Sequence, residues 1–195
     1  MNTTRAKWNQ KYQSTLPTGE PVPPAWLVTH EELLREHVPA QATCLACGLG
    51  GDALFLAAIG FNVTAIDISE IALLSLQQRA EEKRLPVRTV QSDLEKATTC
   101  LGTCDVITSF YFLQKSLWPE MKRALRPGGL LFFETFSPAH LQISARPFKA
   151  AFTVGSSELL TAFSDFTLLD QRETTTVTAS GHKRAVVSIV AQKRT

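Results

Sequence analysis

TCLACGLGGDALFLAAIGFNVTAID, residues 43 to 67, holds a strand, a glycine turn, a helix and a second, acid-tipped strand in one unit. Thr43 to Ala46 is a short apolar run of the buried-strand kind. It breaks at Cys47-Gly48-Leu49-Gly50-Gly51, where glycine tolerates the φ values of a tight turn and lets a ligand approach the backbone. Leu54, Phe55, Ala57, Ala58 and Ile59 give the following helix an apolar face, Gly60 closes it, and Val63-Thr64-Ala65-Ile66 is a β-rich run ending in Asp67. A carboxylate at that tip can accept both hydroxyls of a ribose, so the unit reads as a nucleotide cradle. The same letters also satisfy a dinucleotide fingerprint, because Gly48, Gly50 and Ala53 stand in G-x-G-x-x-A register and Asp67 lies near the expected offset of about 20 residues. The unit by itself leaves its ligand open.

Outward from it, strands and helices alternate: helix 31–37, strand 43–46, helix 52–59, strand 63–67, helix 70–84, strand 87–90, strand 105–110, helix 117–125 and strand 130–135. Such alternation predicts an α/β fold with a parallel sheet and helices on both faces. Ser69 before Glu70 is a cap for the helix that Pro86 ends. After Thr135 the order changes to a loop over 136–155, a short helix over 157–163, and two β-rich runs, 166–173 and 184–190. Strands joined without a helix form a hairpin, so one of them runs antiparallel to the sheet. Residues 1–30, with Trp8 and Tyr12 on a helical stretch followed by Pro17, Gly19, Pro21, Pro23 and Pro24, form an arm or lid.

At 195 residues and 44% apolar content the chain suits one domain with a real core. It is too short for a nucleotide domain plus a separate substrate domain. The net charge of +2, with both signs interspersed, shows neither a nucleic-acid footprint nor a basic membrane patch. No apolar run approaches a membrane span and the polar start lacks a secretion signal, so a cytoplasmic protein with small-molecule partners is expected. Cys44, Cys47, Cys100 and Cys104 form C-x2-C and C-x3-C pairs. Because Cys44 and Cys47 fall in the first strand and its turn, where a metal would take the ligand's place, the cysteines read as small buried hydrophobes; neither metal nor disulfide is expected.

A mostly parallel seven-stranded sheet ending in an antiparallel hairpin resembles the Rossmann-like class I methyltransferases that use S-adenosylmethionine. Four stretches carry the likeness: Leu45 to Gly50, similar to the family's first glycine motif; Asp67, where the family has its ribose-binding acid; Gln91-Ser92-Asp93-Leu94, similar to the acidic turn that meets the adenine amino group; and Leu125-Arg126-Pro127-Gly128-Gly129 before Leu130-Leu131-Phe132-Phe133, similar to the turn into strand five. The resemblance implies S-adenosylmethionine as cofactor, held by Ala46, Cys47, Gly48, Gly50, Asp67, Ile68, Asp93, Leu94 and Ser109. Cys44 departs from the family's usual acid and Ala46 from its first glycine, while Asp52 reads as a solvated acid at a helix start. The opening Trp8-Asn9-Gln10-Lys11-Tyr12 and the run Asn62 to Ser69 resemble the short bacterial methyltransferases related to the tellurite-resistance TehB proteins. In that group the N-terminal segment folds over the cofactor, so Trp8 and Tyr12 are placed against the sulfonium.

Ser109-Phe110-Tyr111-Phe112 is not the N/D-P-P-Y/F motif of nucleic-acid amino-methyltransferases, and no Pro-Cys nucleophile is present. A small acceptor is expected, soft or already anionic: a thiol, selenium or tellurium species. The loop 136–155 forms the acceptor-side wall at the carboxyl edge of the sheet. Tyr111, His140 and Arg146 are the candidates for catalysis, though each also suits a solvated loop position. Arg146 and Lys149 are placed to draw an anion, whereas His182 and Arg184 read as a turn residue and a strand-edge charge. A non-catalytic adenosylmethionine binder fits the same motifs; an NAD-dependent oxidoreductase fits the glycine turn but not the closing hairpin.

Overall fold

The computed structural model describes residues 3–14, 19–96, 100–178 and 181–195. Pro17 of the arm and residues 179–180 of the hairpin connection lie outside them. Seven strands, β1 (Gln41–Leu45), β2 (Asn62–Asp67), β3 (Val87–Gln91), β4 (Cys104–Phe110), β5 (Leu125–Phe136), β6 (Phe166–Val177) and β7 (Lys183–Lys193), form one sheet in the order β3-β2-β1-β4-β5-β7-β6. The first five strands are mutually parallel, while β7 runs antiparallel to both β5 and β6. The expected hairpin is therefore present, and its second strand is the reversed one. β1 lies at the centre with Ala42 to Leu45 all buried, which is why it reads as an unbroken apolar run rather than an alternation.

Two apolar layers flank the sheet. On one face Trp26 and Leu27 of α2 (Ala25–Val28), Leu34 of α3 (Glu31–Arg35), Leu54 and Leu56 of α4 (Gly51–Ala58) and Leu76 and Ala80 of α5 (Glu70–Glu82) pack on Ala42, Cys44, Val63, Val106 and Phe132. On the other, Met121 of α6 (Trp118–Ala124) and Leu159 of α8 (Ser156–Ala162) cover Leu45, Ile66, Ile107 and Phe133. Ser69 caps α5 by accepting the Ala72 N–H. That helix stops earlier than the sequence suggests, because Arg84 adopts a left-handed φ of 54° ahead of Pro86.

Strand five is the largest departure from expectation. It starts at Leu125, not Leu130, and Arg126 to Gly129 form a bulge: Leu125 pairs with Cys104, and the ladder resumes with Leu130 opposite Val106. Gly128 takes φ 78°, and a Cβ on Gly129 would lie 2.9 Å from the Asp105 carbonyl, so the glycine pair lets the bulge fold tightly against β4. The preceding helix is correspondingly short, with 115–117 a 3-10 turn. The acceptor-side loop is also more ordered than a loop: it contains α7 (His140–Ile143) and a 3-10 turn over Ala150–Phe152, and the Val154 N–H returns to the Phe136 carbonyl at 3.1 Å. A groove of about 370 Å³ beside Phe163, Phe166 and Ile189 lies between α8 and the β6–β7 hairpin.

Candidate active site

The carboxyl ends of β1, β2, β3, β4 and β5 meet along one edge of the sheet, and nearly every residue singled out above sits there. At the end of β1 the chain turns through Ala46, Gly48 and Gly50, all with positive φ, at 49°, 53° and 78°. Ala46 thus adopts the conformation that favours the glycine it replaces. The turn presents its backbone to Asp67 at the tip of β2. The Asp67 carboxylate is buried and holds both strand ends together, one oxygen accepting the Gly48 N–H at 2.8 Å and the other the Ser69 N–H at 2.8 Å. Burial pushes its pKa above the ordinary aspartate range, and those backbone donors and the Lys11 ammonium counter the effect.

Over this turn lies α1 (Thr3–Ser14), the helix of the arm. Asn9 fixes it, accepting from the Ser69 hydroxyl at 2.7 Å and donating to Glu70 at 3.0 Å. A Cβ added to Gly48 would stand 2.6 Å from the Tyr12 hydroxyl, so only glycine admits that ring. Trp8 and Tyr12 stack at 5.9 Å, and the Lys11 ammonium sits 4.2 Å over Trp8. Farther along the arm, the Val22 carbonyl crosses 2.5 Å from where a Gly51 Cβ would be.

Asp52 corrects the sequence expectation of a solvated acid. It is buried beneath the turn, accepting the Thr108 hydroxyl at 2.6 Å and the Ala53 N–H at 2.9 Å, with the Cys44 thiol as a further donor. Burial raises its pKa. Cys44 and Thr108 are register partners on β1 and β4, so the carboxylate reaches the strand position where an acid is missing from the sequence. Burial also pushes the Cys44 and Cys47 thiols well above their usual range. Among the described residues no three His, Cys, Asp or Glu side chains are grouped to hold a metal.

On the other side of the turn the edge is aromatic and basic. Tyr111, with φ 57°, closes β4 and sends its N–H to the Glu134 carbonyl at 2.8 Å. Its ring lies 5.6 Å from Phe136 and under the Arg184 guanidinium at 4.9 Å. Burial and the nearby Glu134 carboxylate push the phenol up to about 12. Glu134 is itself buried and held by Arg172 at 2.9 Å and Ser188 at 2.6 Å. His140 stacks on Phe136 at 4.4 Å and accepts the Ala185 N–H on Nδ1 at 3.4 Å; burial and Arg184 lower its pKa, so it is neutral at pH 7. The Lys11 ammonium is lowered by burial and by Arg184, which places both cations at the same mouth.

The comparisons with known proteins agree with this geometry. Residues 43–129 match the family model described as a methyltransferase domain. The "Probable S-adenosyl-L-methionine-dependent methyltransferase TehB" of Haemophilus influenzae is 26% identical over 174 residues, covering 85% of this chain and 56% of its own length. The crystal structure of TehB from that organism superposes with a TM-score of 0.74 at 21% identity, covering 96% of this chain and 67% of that one. Residues 43–129 thus carry a methyltransferase domain on a Rossmann-like methyltransferase fold. A protein of Eikenella corrodens named "Hemagglutinin 1" is 30% identical over 162 residues, or 75% of this chain and 52% of that protein. The chain spans about half the length of the curated relatives it matches.

S-adenosylmethionine is the cofactor of the family, and the residues of the turn fit it. The turn carries no Cβ at Gly48 or Gly50, the Tyr12 ring of the arm lies over Gly48, and the Asp67 carboxylate, which accepts the Gly48 and Ser69 N–H groups, keeps acceptor capacity for a hydroxyl. Ile68 is half-buried next to Asp67, and its carbonyl accepts from Gln91 at 3.2 Å. Asp93 sits at the end of β3, accepting the Glu95 N–H, while the Leu94 side chain is committed to the core. Ser109 is fully buried opposite Leu45.

Of the three residues expected for catalysis, the methyltransferase fold brings Tyr111 and His140 to one wall and leaves Arg146 on the exposed loop, where it bonds only locally with Ser144. Lys149 is likewise exposed. Arg184 is not a mere strand-edge charge: it covers Tyr111 and acts electrostatically on Lys11 and His140. Glu134 carried no signal in the sequence, because only long-range folding sets it beside Tyr111. His182 is an exposed turn residue as read.

Proposed function

We propose that this methyltransferase transfers the methyl group of S-adenosylmethionine to a small acceptor that is soft or already anionic, such as a thiol, selenium or tellurium species. The observation that carries the reading is the Arg184 guanidinium 4.9 Å over the Tyr111 ring, beside the turn that takes the cofactor, with the Lys11 ammonium of α1 within its electrostatic reach. Two cations at the mouth favour an anion and stabilise the deprotonated form of an acidic nucleophile. When bound, the cofactor supplies a methyl group on a cationic sulfonium. In this reading the backbone of Ala46, Cys47, Gly48 and Gly50 holds its methionine end, Asp67 and Ile68 its ribose, Asp93 and Leu94 its adenine. Ser109 forms the floor at the end of β4, and Trp8 and Tyr12 cover the sulfonium. Tyr111, protonated at neutral pH, donates a hydrogen bond instead of accepting a proton. Catalysis then rests on alignment, which supplies about 7–11 kcal/mol in favourable cases.

The name of the TehB relative supports the methyl transfer and says nothing of the acceptor. The fold alone does not prescribe it, since a structural neighbour with a TM-score of 0.63 is a [4+2]-cyclase. The test is transfer of labelled methyl to thiols, selenite, tellurite, small amines, catechols and short RNA, alongside binding of S-adenosylhomocysteine and NAD. Turnover on sulfur, selenium or tellurium compounds, with no NAD binding, is expected. Turnover confined to amines or RNA refutes the acceptor class, and S-adenosylhomocysteine binding without turnover on any acceptor makes the protein a binder and not an enzyme.

A further inference from the structure

Beyond the two cations, the acceptor wall has a body of aromatic rings that an inorganic oxyanion would leave unused. Phe136, His140 and Phe148 form a mutually packed trio, with Phe136–His140 at 4.4 Å, Phe136–Phe148 at 4.8 Å and His140–Phe148 at 4.8 Å. Phe152 extends the wall from Phe148 at 6.2 Å, and Tyr111 continues it from Phe136 at 5.6 Å. The two ends of this row stay open to solvent: Tyr111 is 39% and Phe152 49% exposed, far more than an aromatic ring of the core. Arg184 stands over the Tyr111 end, so the row carries a cation there, while Phe152 opens to solvent at the other end.

We infer that the acceptor is a small aromatic thiolate, its sulfur set at the Arg184–Tyr111 end and its ring along the row toward Phe148 and Phe152. This rests on the proposed methyl transfer and names the acceptor within it. A ring laid on that wall removes apolar surface from water at about 25 cal/mol per Å² and gains the aromatic contact besides. Tellurite, selenite or hydrosulfide has no surface to bury there. An aromatic thiol also ionises more readily than an alkyl thiol, so the cations meet it as an anion near neutral pH. His140, neutral and accepting on Nδ1, carries its proton on Nε2 and adds no charge to the wall. In the transfer the thiolate sulfur provides the electron pair of the new S–CH3 bond, and the pair of the broken C–S bond stays on the adenosyl sulfur. The thiolate and sulfonium charges cancel, two thioethers result, and no proton moves.

The experiment compares kcat/KM of the full chain for benzenethiol, 2-mercaptoethanol, hydrosulfide and tellurite, each corrected for its anionic fraction, in wild type and in Phe152→Ala and Phe148→Leu. Benzenethiol is expected to lead by at least tenfold. Phe152→Ala, at an exposed position, is expected to lower kcat/KM severalfold more for benzenethiol than for 2-mercaptoethanol, with S-adenosylhomocysteine affinity retained. Equal rates for aromatic and alkyl thiols, a preference for tellurite, or a Phe152→Ala loss of the same size on every acceptor overturns the inference and leaves the proposed methyl transfer standing. An absence of turnover on all four acceptors, in protein that binds S-adenosylhomocysteine, overturns the proposed function together with it.

Discussion

Around β1 and β2, the groups that face a ligand come from one continuous stretch, residues 46 to 68, and most are backbone groups set by positive φ at Ala46, Gly48 and Gly50. Around β4, β5 and β7, the facing groups are side chains gathered from Lys11, Tyr111, Phe136, His140, Phe148 and Arg184, residues distant in the chain. The first half is therefore tolerant of side-chain change outside its glycines and acids, and its geometry survives as long as the turn does. The second half depends on how α1, the 136–155 loop and the final hairpin dock, and it can diverge in substrate while the cofactor half stays the same.

The sharpest way to break the acceptor half is through its support. Arg172→Leu takes the guanidinium from the buried Glu134 carboxylate and leaves it Ser188 and Tyr111 as side-chain partners, and a loss of about 3 kcal/mol in unfolding free energy is expected in urea titration. A change below 1 kcal/mol would mean that the ion pair does not support this half of the edge. For the cofactor half, Asp67→Ala is expected to weaken S-adenosylhomocysteine binding by about ten- to a hundredfold, the worth of charge-assisted hydrogen bonds at about 1.5–3 kcal/mol. Calorimetry at unchanged fold decides it, and wild-type affinity would displace the ribose from Asp67. Because burial raises the Asp67 pKa, the affinity is also expected to fall on acidification at a higher pH than an ordinary aspartate would give.

Arg184→Ala separates the halves: about a tenfold drop in kcat/KM for a thiolate is expected with S-adenosylhomocysteine affinity retained. Equal losses in both would make Arg184 a support of the whole edge. A smaller effect is expected from Asp52→Asn. Its folded-state pKa is raised, so the native acid favours folding at low pH and loses that contribution as pH rises through the folded pKa. The Asn variant is thus expected to gain stability relative to wild type as pH rises above the ordinary aspartate range. A relative loss over that range would show that the carboxylate is needed in its ionised form. Least of all, Glu31→Ala removes an exposed i,i+4 pair with Arg35, and about 0.3–0.5 kcal/mol is the expected cost.

Much of the cofactor half is legible in the residues themselves, because its determinants are neighbours in the chain. The strand-turn-helix-strand unit, the Ser69 cap and the reversed hairpin all follow from spacing, and the structure departs from them by only a few residues at element ends. Three readings went astray for a common reason. Asp52 looked like a solvated helix-start acid, yet Thr108 and Cys44 on the adjacent strands enclose it. Arg184 looked like an edge charge, yet the end of β4 puts Tyr111 beneath it. The Arg126 to Gly129 bulge looked like a turn before a strand, yet Leu125 already pairs with Cys104.

What this chain settles from its letters is therefore what local backbone preference and alternation control. Glycines with positive φ make the turn, β-rich runs make the strands, and an acid at a strand tip stays within reach of the turn because only one helix separates them. Exposure, electrostatic neighbours and the shape of the acceptor wall were decided by the tertiary structure alone. Whether a carboxylate is wet or buried, and which cation stands over which ring, depends on segments such as α1 and β7 that lie far apart in the chain and meet only when the sheet is complete.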